Sequence, residues 1–454
     1  MKKYTIPCCG LLLPFLILLL PGCGDYLDVK PDSALIVPQN LQDYQALLDN
    51  DFYIMNQEPA LGFMGADNYY LSDDDWASLF TDTERNTYIW AEEIFDSWLP
   101  QDWSLPYEQV FYANVVLEGL EELTVSQAER AEWEGLKGSA LFYRSYAFYA
   151  LSQHFAPPYD PNGAADTPGI PLRLRSELEA PVSRASLQET YAEIIRSGEA
   201  AAALLPEHST YPTRPDKAAA WALLARVALI MGAWESAEDY ASRSLGLRDQ
   251  LLDYNSLDTA AALPFALFHE EVLFHSVLLP YNLSSSRARV EGNLYDSYAQ
   301  EDLRRQLFFT EEEDVLRFRG HYSGQGNLLF GGLATDEVYL IRAESRARLG
   351  NVAGAMEDLN RLLRTRWQAG SFVPYTAASA AEALDLVLAE RRKELLFRGL
   401  RWSDLRRLQG TPHEKTLVRE LMGETYMLPP HSPRWVYPIP QQEIDISGIA
   451  QNPR

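Results

Sequence analysis

The chain has 454 residues, 47% of them hydrophobic, enough to bury one large core or two fused ones. Its three cysteines, Cys8, Cys9 and Cys23, all lie in the first 23 residues, so neither a disulfide framework nor a thiolate metal site holds the remainder together. Against 39 basic side chains stand 64 acidic ones, a formal net charge of −25, which argues against nucleic acid and against direct adhesion to anionic lipid.

The first element is MKKYTIPCCGLLLPFLILLL, two lysines followed by an apolar run from Ile6 to Leu20. That run is shorter than the roughly 20 residues of a membrane-spanning helix and is interrupted by Pro7 and Pro14. It reads as an export signal over residues 1–22. The junction Leu20-Pro21-Gly22-Cys23 resembles a bacterial lipobox, with cleavage before Cys23 and acylation of its thiol by palmitate-like chains; an ordinary leader cut elsewhere is the alternative. Each buried CH₂ of such a chain contributes about 0.8 kcal/mol, so two or three chains anchor a folded body without a spanning helix.

Residues 52–112 hold 15 aromatics in 61 positions, against 12% for the chain, among Gly, Pro, Asn and Asp and with little helical period. This segment, which includes Trp76, Trp90, Trp98 and Trp103, is expected to be an irregular insertion. Helical signals then recur. Ser126-x-x-Glu129, Ser186-x-x-Glu189 and Ser379-x-x-Glu382 have the form of capping boxes, and the run after Ser186 places Leu187, Tyr191, Ile194 and Ile195 on one stripe before Pro206. In KAAAWALLARVALIMGAWESAEDYASRSL, Trp221, Leu224, Ala225 and Ala237 have the large-and-small spacing of a tetratricopeptide helix pair. Tyr339, Ala343, Ala355 and Leu359 repeat it around a Gly350-Asn351 turn. With stretches 127–155 and 187–205, about four pairs are expected: a mainly α, tetratricopeptide-like scaffold over 127–250 and 334–366 with large irregular loop insertions. The second insertion is 251–333, holding Tyr281, Asn282, Tyr295, Tyr298 and Tyr322, and a helix and tail fill 379–454.

Catalytic signatures are missing where they would be legible. His269-Glu270 is followed by His275, about 240° around a helix rather than at i+4, so the zinc-protease pair is not formed. No Gly-x-Ser-x-Gly elbow occurs, Gly324-Gln325-Gly326 lacks the context of a dinucleotide loop, and Asp73-Asp74-Asp75 lacks the alternation of a calcium loop. No metal, cofactor or catalytic residue is therefore expected. Trp and Tyr together outnumber Phe by 35 to 18, favouring aromatics that suit wet binding surfaces, and flat aromatic faces stack well on pyranose rings. Arg391, Arg392, Glu394, Arg398, Arg401, Asp404, Arg406 and Arg407, set among Leu395, Leu396, Phe397 and Trp402, read as a structural ion-pair network.

Several blocks in order resemble the SusD/RagB family, surface lipoproteins of Bacteroidetes that work with SusC-like TonB-dependent transporters. They are Cys23-Gly24-Asp25-Tyr26-Leu27-Asp28, then KGSALFYRSYAFYALSQHFAPPYD (137–160), GIPLRLRSELEAPVSRASLQETYAEIIRSGEAAAALLP (169–206), ERRKELLFRGLRWSDLRRL (390–408) and YPIPQQEIDISGIAQNPR (437–454). Phe155-Ala156 and Arg398-Gly399 depart from the family's usual Phe-Gly and acidic-Gly. The resemblance implies one SusD-like domain over 23–454, held by lipid on the outer membrane and facing outward. Such a protein captures an oligosaccharide and delivers it to the transporter; peptide or glycopeptide capture, a glycoside hydrolase and a purely structural adaptor are the alternatives. The expected ligand-binding residues are Asn68, Tyr69, Tyr70, Asp74 and Trp76 in the first insertion and Tyr281, Asn282, Arg287 and Tyr322 in the second, the aromatics stacking on sugar rings and the polar groups bonding hydroxyls.

Replacing Cys23 by alanine is predicted to release the protein from the membrane fraction or to block its processing. Fractionation after carbonate-free washing, with external protease in cells lacking the transporter, checks this; a Cys23→Ala protein that still sediments with outer membrane overturns lipid attachment.

Overall fold

Half of the scaffold helices start at a side chain that captures a free amide hydrogen, and two of the three capping boxes show how. The computed structural model describes residues 38–96, 100–179, 181–283 and 286–454. Lys2, Lys3, the leader, Cys23 and Trp98 lie outside the described residues. Eight helices form the scaffold: α1 (Gln101–Glu122), α2 (Arg130–Phe155), α3 (Leu187–Leu204), α4 (Lys217–Met231), α5 (Trp234–Leu247), α6 (Thr335–Arg348), α7 (Val352–Arg364) and α8 (Ala380–Glu394). Ser186 caps α3 reciprocally, its hydroxyl accepting from Glu189 N at 3.1 Å while the Glu189 carboxylate takes Ser186 N at 2.8 Å. At α8 the box is half made, because Ser379 accepts from Glu382 N but the Glu382 carboxylate turns to Ala378 N. Ser126 caps no helix: Glu129 folds back onto its amide and hydroxyl, and α2 begins one turn later at Arg130.

The array runs by nearest neighbours, α1 against α2, α2 against α3, α3 against α4, α4 against α5, α5 against α6 and α6 against both α7 and α8. Pairs α2/α3, α4/α5 and α6/α7 are flanked by α1 and α8, giving the mainly α, tetratricopeptide-like scaffold. Small residues permit the close approaches. Ala225, Ala237, Ala343 and Ala355 are fully buried at the pair interfaces, and a Cβ on Gly198 in α3 would meet Leu224 Cδ2 of α4 at 2.8 Å. Trp221 is only half-buried: it stacks on Tyr240 at 5.7 Å under the Arg243 guanidinium rather than filling the groove. Gly232 and Gly350 take left-handed φ of 71° and 81° where α4 and α6 end, which lets the chain reverse into the next helix. The residues between 101 and 112, inside the first aromatic-rich stretch, are helical, since the apolar face of α1 carries Trp103, Leu105 and Val110 although Pro106 removes one helical amide.

The extended structure comes as six two-stranded ribbons among the described residues, two of them outside the insertions, at 168–186 and at 417–428, and four within or at the edge of the insertions. Two of them join the insertions to one another, as described below. A third holds Phe274 and Val272 against Leu333–Ala334 at the start of α6. The tail after α8 is locked to the array: Tyr437 N donates to His154 O at 2.9 Å, and Asn452 Nδ2 donates to Phe155 O and Tyr437 O, each at 2.9 Å. Arg391 and Arg407 both bind Asp404, and Arg407 reaches Glu344 of α6 at 2.6 and 2.8 Å, so the expected ion-pair network is present and pins the tail.

Glu58 adds a pH dependence. Burial raises its carboxyl from 4.5 to about 7, against the opposing pull of Arg226 and the Tyr146 hydroxyl. The folded state keeps a proton that the unfolded chain has shed, so the contribution of Glu58 to stability falls as pH rises from 4.5 to 7 and is level above. Urea unfolding of wild type and Glu58→Gln from pH 4 to 8 is expected to show the variant gaining roughly 2–3 kcal/mol on wild type across that window.

Candidate ligand-binding face

The two insertions meet through backbone pairing. Tyr69 and Tyr70 pair antiparallel with Val290 and Arg289, and Gln57–Glu58 pair parallel with Val277–Leu278. Side chains alternate along a strand, so the first ribbon turns Tyr69 inward, 2% exposed, and Tyr70 outward, 43% exposed. Leu283 N donates to Glu84 Oε1 at 2.6 Å, while the other oxygen of Glu84 caps its own short helix at Thr81.

Side chains then fix the loop that follows. Ser72 caps the helix Asp73–Ala77 by accepting from Asp75 N. Arg289, from the second insertion, donates to Asp75 Oδ2 at 2.8 Å and to Ser72 Oγ at 3.1 Å. Arg287 donates to Ser78 Oγ and to the Asn282 carbonyl, both at 3.4 Å. The tip of the hairpin Leu417–Leu428 joins the same face, with Met422 N donating to Asp73 Oδ1 at 2.7 Å and its side chain exposed.

Six of the nine expected residues belong to this surface. Tyr70, Asp74 and Asn282 are exposed, and Trp76, Tyr281 and Arg287 are half-buried. Trp76 leans one edge on the core and donates its indole N–H to Arg85 O at 3.2 Å. The Tyr281 hydroxyl donates to Asp102, whose carboxylate also accepts from Ala60 N at 2.6 Å and Leu61 N at 3.1 Å. Burial first, then the Asp102 carboxylate, raise the Tyr281 phenol, which keeps its proton. Its hydroxyl is therefore spent internally, and only the ring is free to meet a ligand.

The other three are interior. Asn68, 4% exposed, accepts from Arg392 Nε at 2.9 Å. Tyr69 donates to Met64 O at 2.7 Å and stacks on Phe63 at a centroid distance of 5.3 Å. Tyr322 donates to Glu271, shares a 2.7 Å hydrogen bond with Tyr254 Oη, and lies under the Arg398 guanidinium at 4.5 Å. None reaches solvent, because strand alternation claims Tyr69 and a buried charge network claims Asn68 and Tyr322. Phe80, two residues after Ser78 and 85% exposed, was not singled out; a large apolar side chain closing a polar loop, LSDDDWASLF, is the signal that marks it.

The face thus presents aromatic surface from Tyr70, Trp76 and Phe80 beside the polar groups of Asp74, Asn282 and Arg287. Among the described residues no three His, Cys, Asp or Glu side chains are placed to hold a metal ion.

Two family models match the chain: one described as starch-binding associating with outer membrane, over residues 25–229, and one described as SusD family, over residues 335–454. A SusD superfamily protein from Bacteroides vulgatus has 22% identity and a TM-score of 0.74 over 92% of this chain and 99% of that one. A SusD-like carbohydrate binding protein from the same organism has 19% identity and a TM-score of 0.68 over 90% and 97%. A laminarin binding SusD-like protein has 17% identity and a TM-score of 0.65 over 92% and 100%. At these identities the structural likeness is one of fold. No curated protein sequence matches the chain.

Arg289→Ala removes the tie between the insertions. Hydrogen exchange is expected to accelerate about tenfold at amides 72–78 while the protection of α4 and α5 stays unchanged; equal protection at 72–78 in both proteins counts against Arg289 as the anchor of this loop.

Proposed function

The chain belongs to the SusD/RagB family, and on that premise we propose that it captures an oligosaccharide on this face and delivers it to a SusC-like TonB-dependent transporter in the outer membrane. The observation that carries the reading is the pairing of Tyr69–Tyr70 with Arg289–Val290, which sets exposed aromatics from one insertion beside Asn282 and Arg287 from the other. Tyr70, Trp76 and Phe80 supply flat faces for the C–H surfaces of sugar rings, while Asp74, Asn282 and Arg287 bond hydroxyls and set specificity. An unmatched polar group in such a contact costs about 1–3 kcal/mol, so the polar set discriminates among sugars more sharply than the rings do. The carbohydrate and laminarin binding described for the structural relatives supports a glycan over a peptide.

The role is capture, with no bond made or broken. Residues 1–22 serve as the signal, Cys23 carries the lipid, and the body from 23 to 454 faces outward with insertions 52–112 and 251–333 forming the ligand side. Among the described residues no helix is long and apolar enough to cross a membrane, which suits an attachment made by acyl chains. Phe80→Ala and Trp76→Ala are each expected to weaken binding of a neutral oligosaccharide found by array screening about three- to tenfold. Calorimetry checks this, with the melting temperature of Phe80→Ala unchanged because its ring is exposed. Wild-type affinity in both variants places the glycan elsewhere; recovery of the lipoprotein from native membranes without any β-barrel protein, in several mild detergents, counts against the transporter.

A further inference from the structure

A cleft of about 560 Å³ lies between the end of α8, the helix Arg401–Arg407, residues 412–415 and the short helix Gly292–Asp296. In a chain with 64 acidic side chains it concentrates cations: Arg391, Arg392, Arg401 and Lys415 all line it. Their partners do not use them up. Arg391 is 3% exposed and places its Nε on both oxygens of Asp404, at 3.1 and 2.9 Å, yet its Nη1 is buried with no hydrogen-bond partner. Arg392 and Arg401 share a single carboxylate, Asp67: Arg401 grips it with two bonds at 2.6 and 2.9 Å, while Arg392 stands 3.5 Å from it and donates its Nε to Asn68 Oδ1 at 2.9 Å and its Nη2 to the Asp67 carbonyl at 3.2 Å, with no bond made by its Nη1 among the described residues. Lys415 is exposed, and none of the ion pairs formed among the described residues involves it. Burial opposes the charge on Asp67, but Arg401, Arg392 and Lys415 together hold its carboxyl below the usual range.

The acids at the cleft do not cancel this excess. Asp404 is shared between Arg391 and Arg407. At the rim, Asp385 lies 3.5 Å from His413, and Glu414 accepts from Gly410 N at 2.9 Å. Glu291 sits beside Arg392 and offsets one charge. With Glu291 counted, two guanidiniums and an ammonium face two carboxylates around Asp67, a net excess of one positive charge, with the unpartnered Nη1 of Arg391 in the wall. A buried N–H donor without a partner in the wall of a positively charged cleft is satisfied best by an anionic oxygen.

We propose that this cleft binds an anionic substituent of a saccharide, the carboxylate of a uronic acid or the sulfate of a sulfate ester, held by Lys415, Arg392 and Arg391. The anion site stands on its own geometry; the assignment of the anion to a saccharide rests on the capture function proposed above. Binding of an acidic sugar here would recruit ligands that the overall negative charge otherwise repels, at a place distinct from the aromatic face.

The test is calorimetric titration of the soluble protein with glucuronate, inorganic sulfate, a sulfated oligosaccharide and, as control, glucose. Saturable binding of the acidic sugars is expected, without glucose binding, weakened about tenfold by Lys415→Ala and strongly by 0.5 M NaCl, as screening of charge pairs requires. Lys415 is a surface side chain in this site alone, so Lys415→Ala should retain wild-type binding of a neutral oligosaccharide at the aromatic face. No saturable binding of either anion, or equal affinity in Lys415→Ala, overturns the anion site. Binding of sulfate without either acidic sugar overturns its assignment to a saccharide. Loss of neutral-glycan binding in Phe80→Ala with the anion titration intact separates the two proposals, since each can then fail without the other.

Discussion

The fold depends on a buried chain of guanidinium and carboxylate groups centred on Glu394. Arg366, just after α7, binds Glu394 at 2.7 Å and Glu271 at 2.8 Å, and Arg304 binds Glu394 at 2.8 Å, Glu390 at 2.7 Å and Asp302 at 2.7 Å. Both arginines are fully buried. Burial alone opposes their charge, and the surrounding carboxylates more than offset it, holding each guanidinium well above its ordinary range. Removing one partner would strand a charge in the interior, which costs about 3–5 kcal/mol. Asp302 and Glu271 belong to the second insertion, so this network fixes the 83-residue segment 251–333 to the end of the helical array. Without it, Arg289–Val290 would have no set position from which to pair with Tyr69–Tyr70.

The helical array was the most legible part of the sequence. Alanines at the close approaches of 217–247 and 335–364 are local signals, and their partners lie one turn of chain away. Ser186 was read correctly because both halves of its box are near in sequence, whereas Ser126 shows the same letters used for a turn that precedes the helix. Exposure of the expected residues was legible only where it follows from the loop itself. Asn68 looked available, but its partner Arg392 is 324 residues away, and Tyr322 answers to Glu271 and Arg398, charges that no local pattern connects to it. Tyr69 and Tyr70 could have been separated by the period of a strand, had a two-residue ribbon been visible; two residues give no period to see.

The face is made firm in a particular order. The array sets the insertions, the insertions pair, and only then do Arg287 and Arg289 tie down the loop that carries Trp76 and Phe80. A surface fixed before a ligand arrives loses less conformational entropy on binding, which under the proposed function favours capture of a flexible saccharide by a shallow aromatic face. The bond from Tyr281 to Asp102 acts in the same direction, orienting a ring by giving up its hydroxyl.

The ribbon between Tyr69–Tyr70 and Arg289–Val290 is two residues long on each side, and its stability is borrowed from the scaffold beneath it. Side chains that point outward from these loops can therefore be replaced without any scaffold contact being rewritten, whereas Tyr281 cannot, because its hydroxyl is bonded to Asp102 of α1. The exposed side chains Tyr70, Asp74, Phe80 and Asn282 are in this sense replaceable parts on a fixed chassis: exchanging them changes what the face presents, while the bonds that hold the loops, Tyr281 to Asp102 and Arg287 and Arg289 to Ser78, Asp75 and Ser72, are inherited intact.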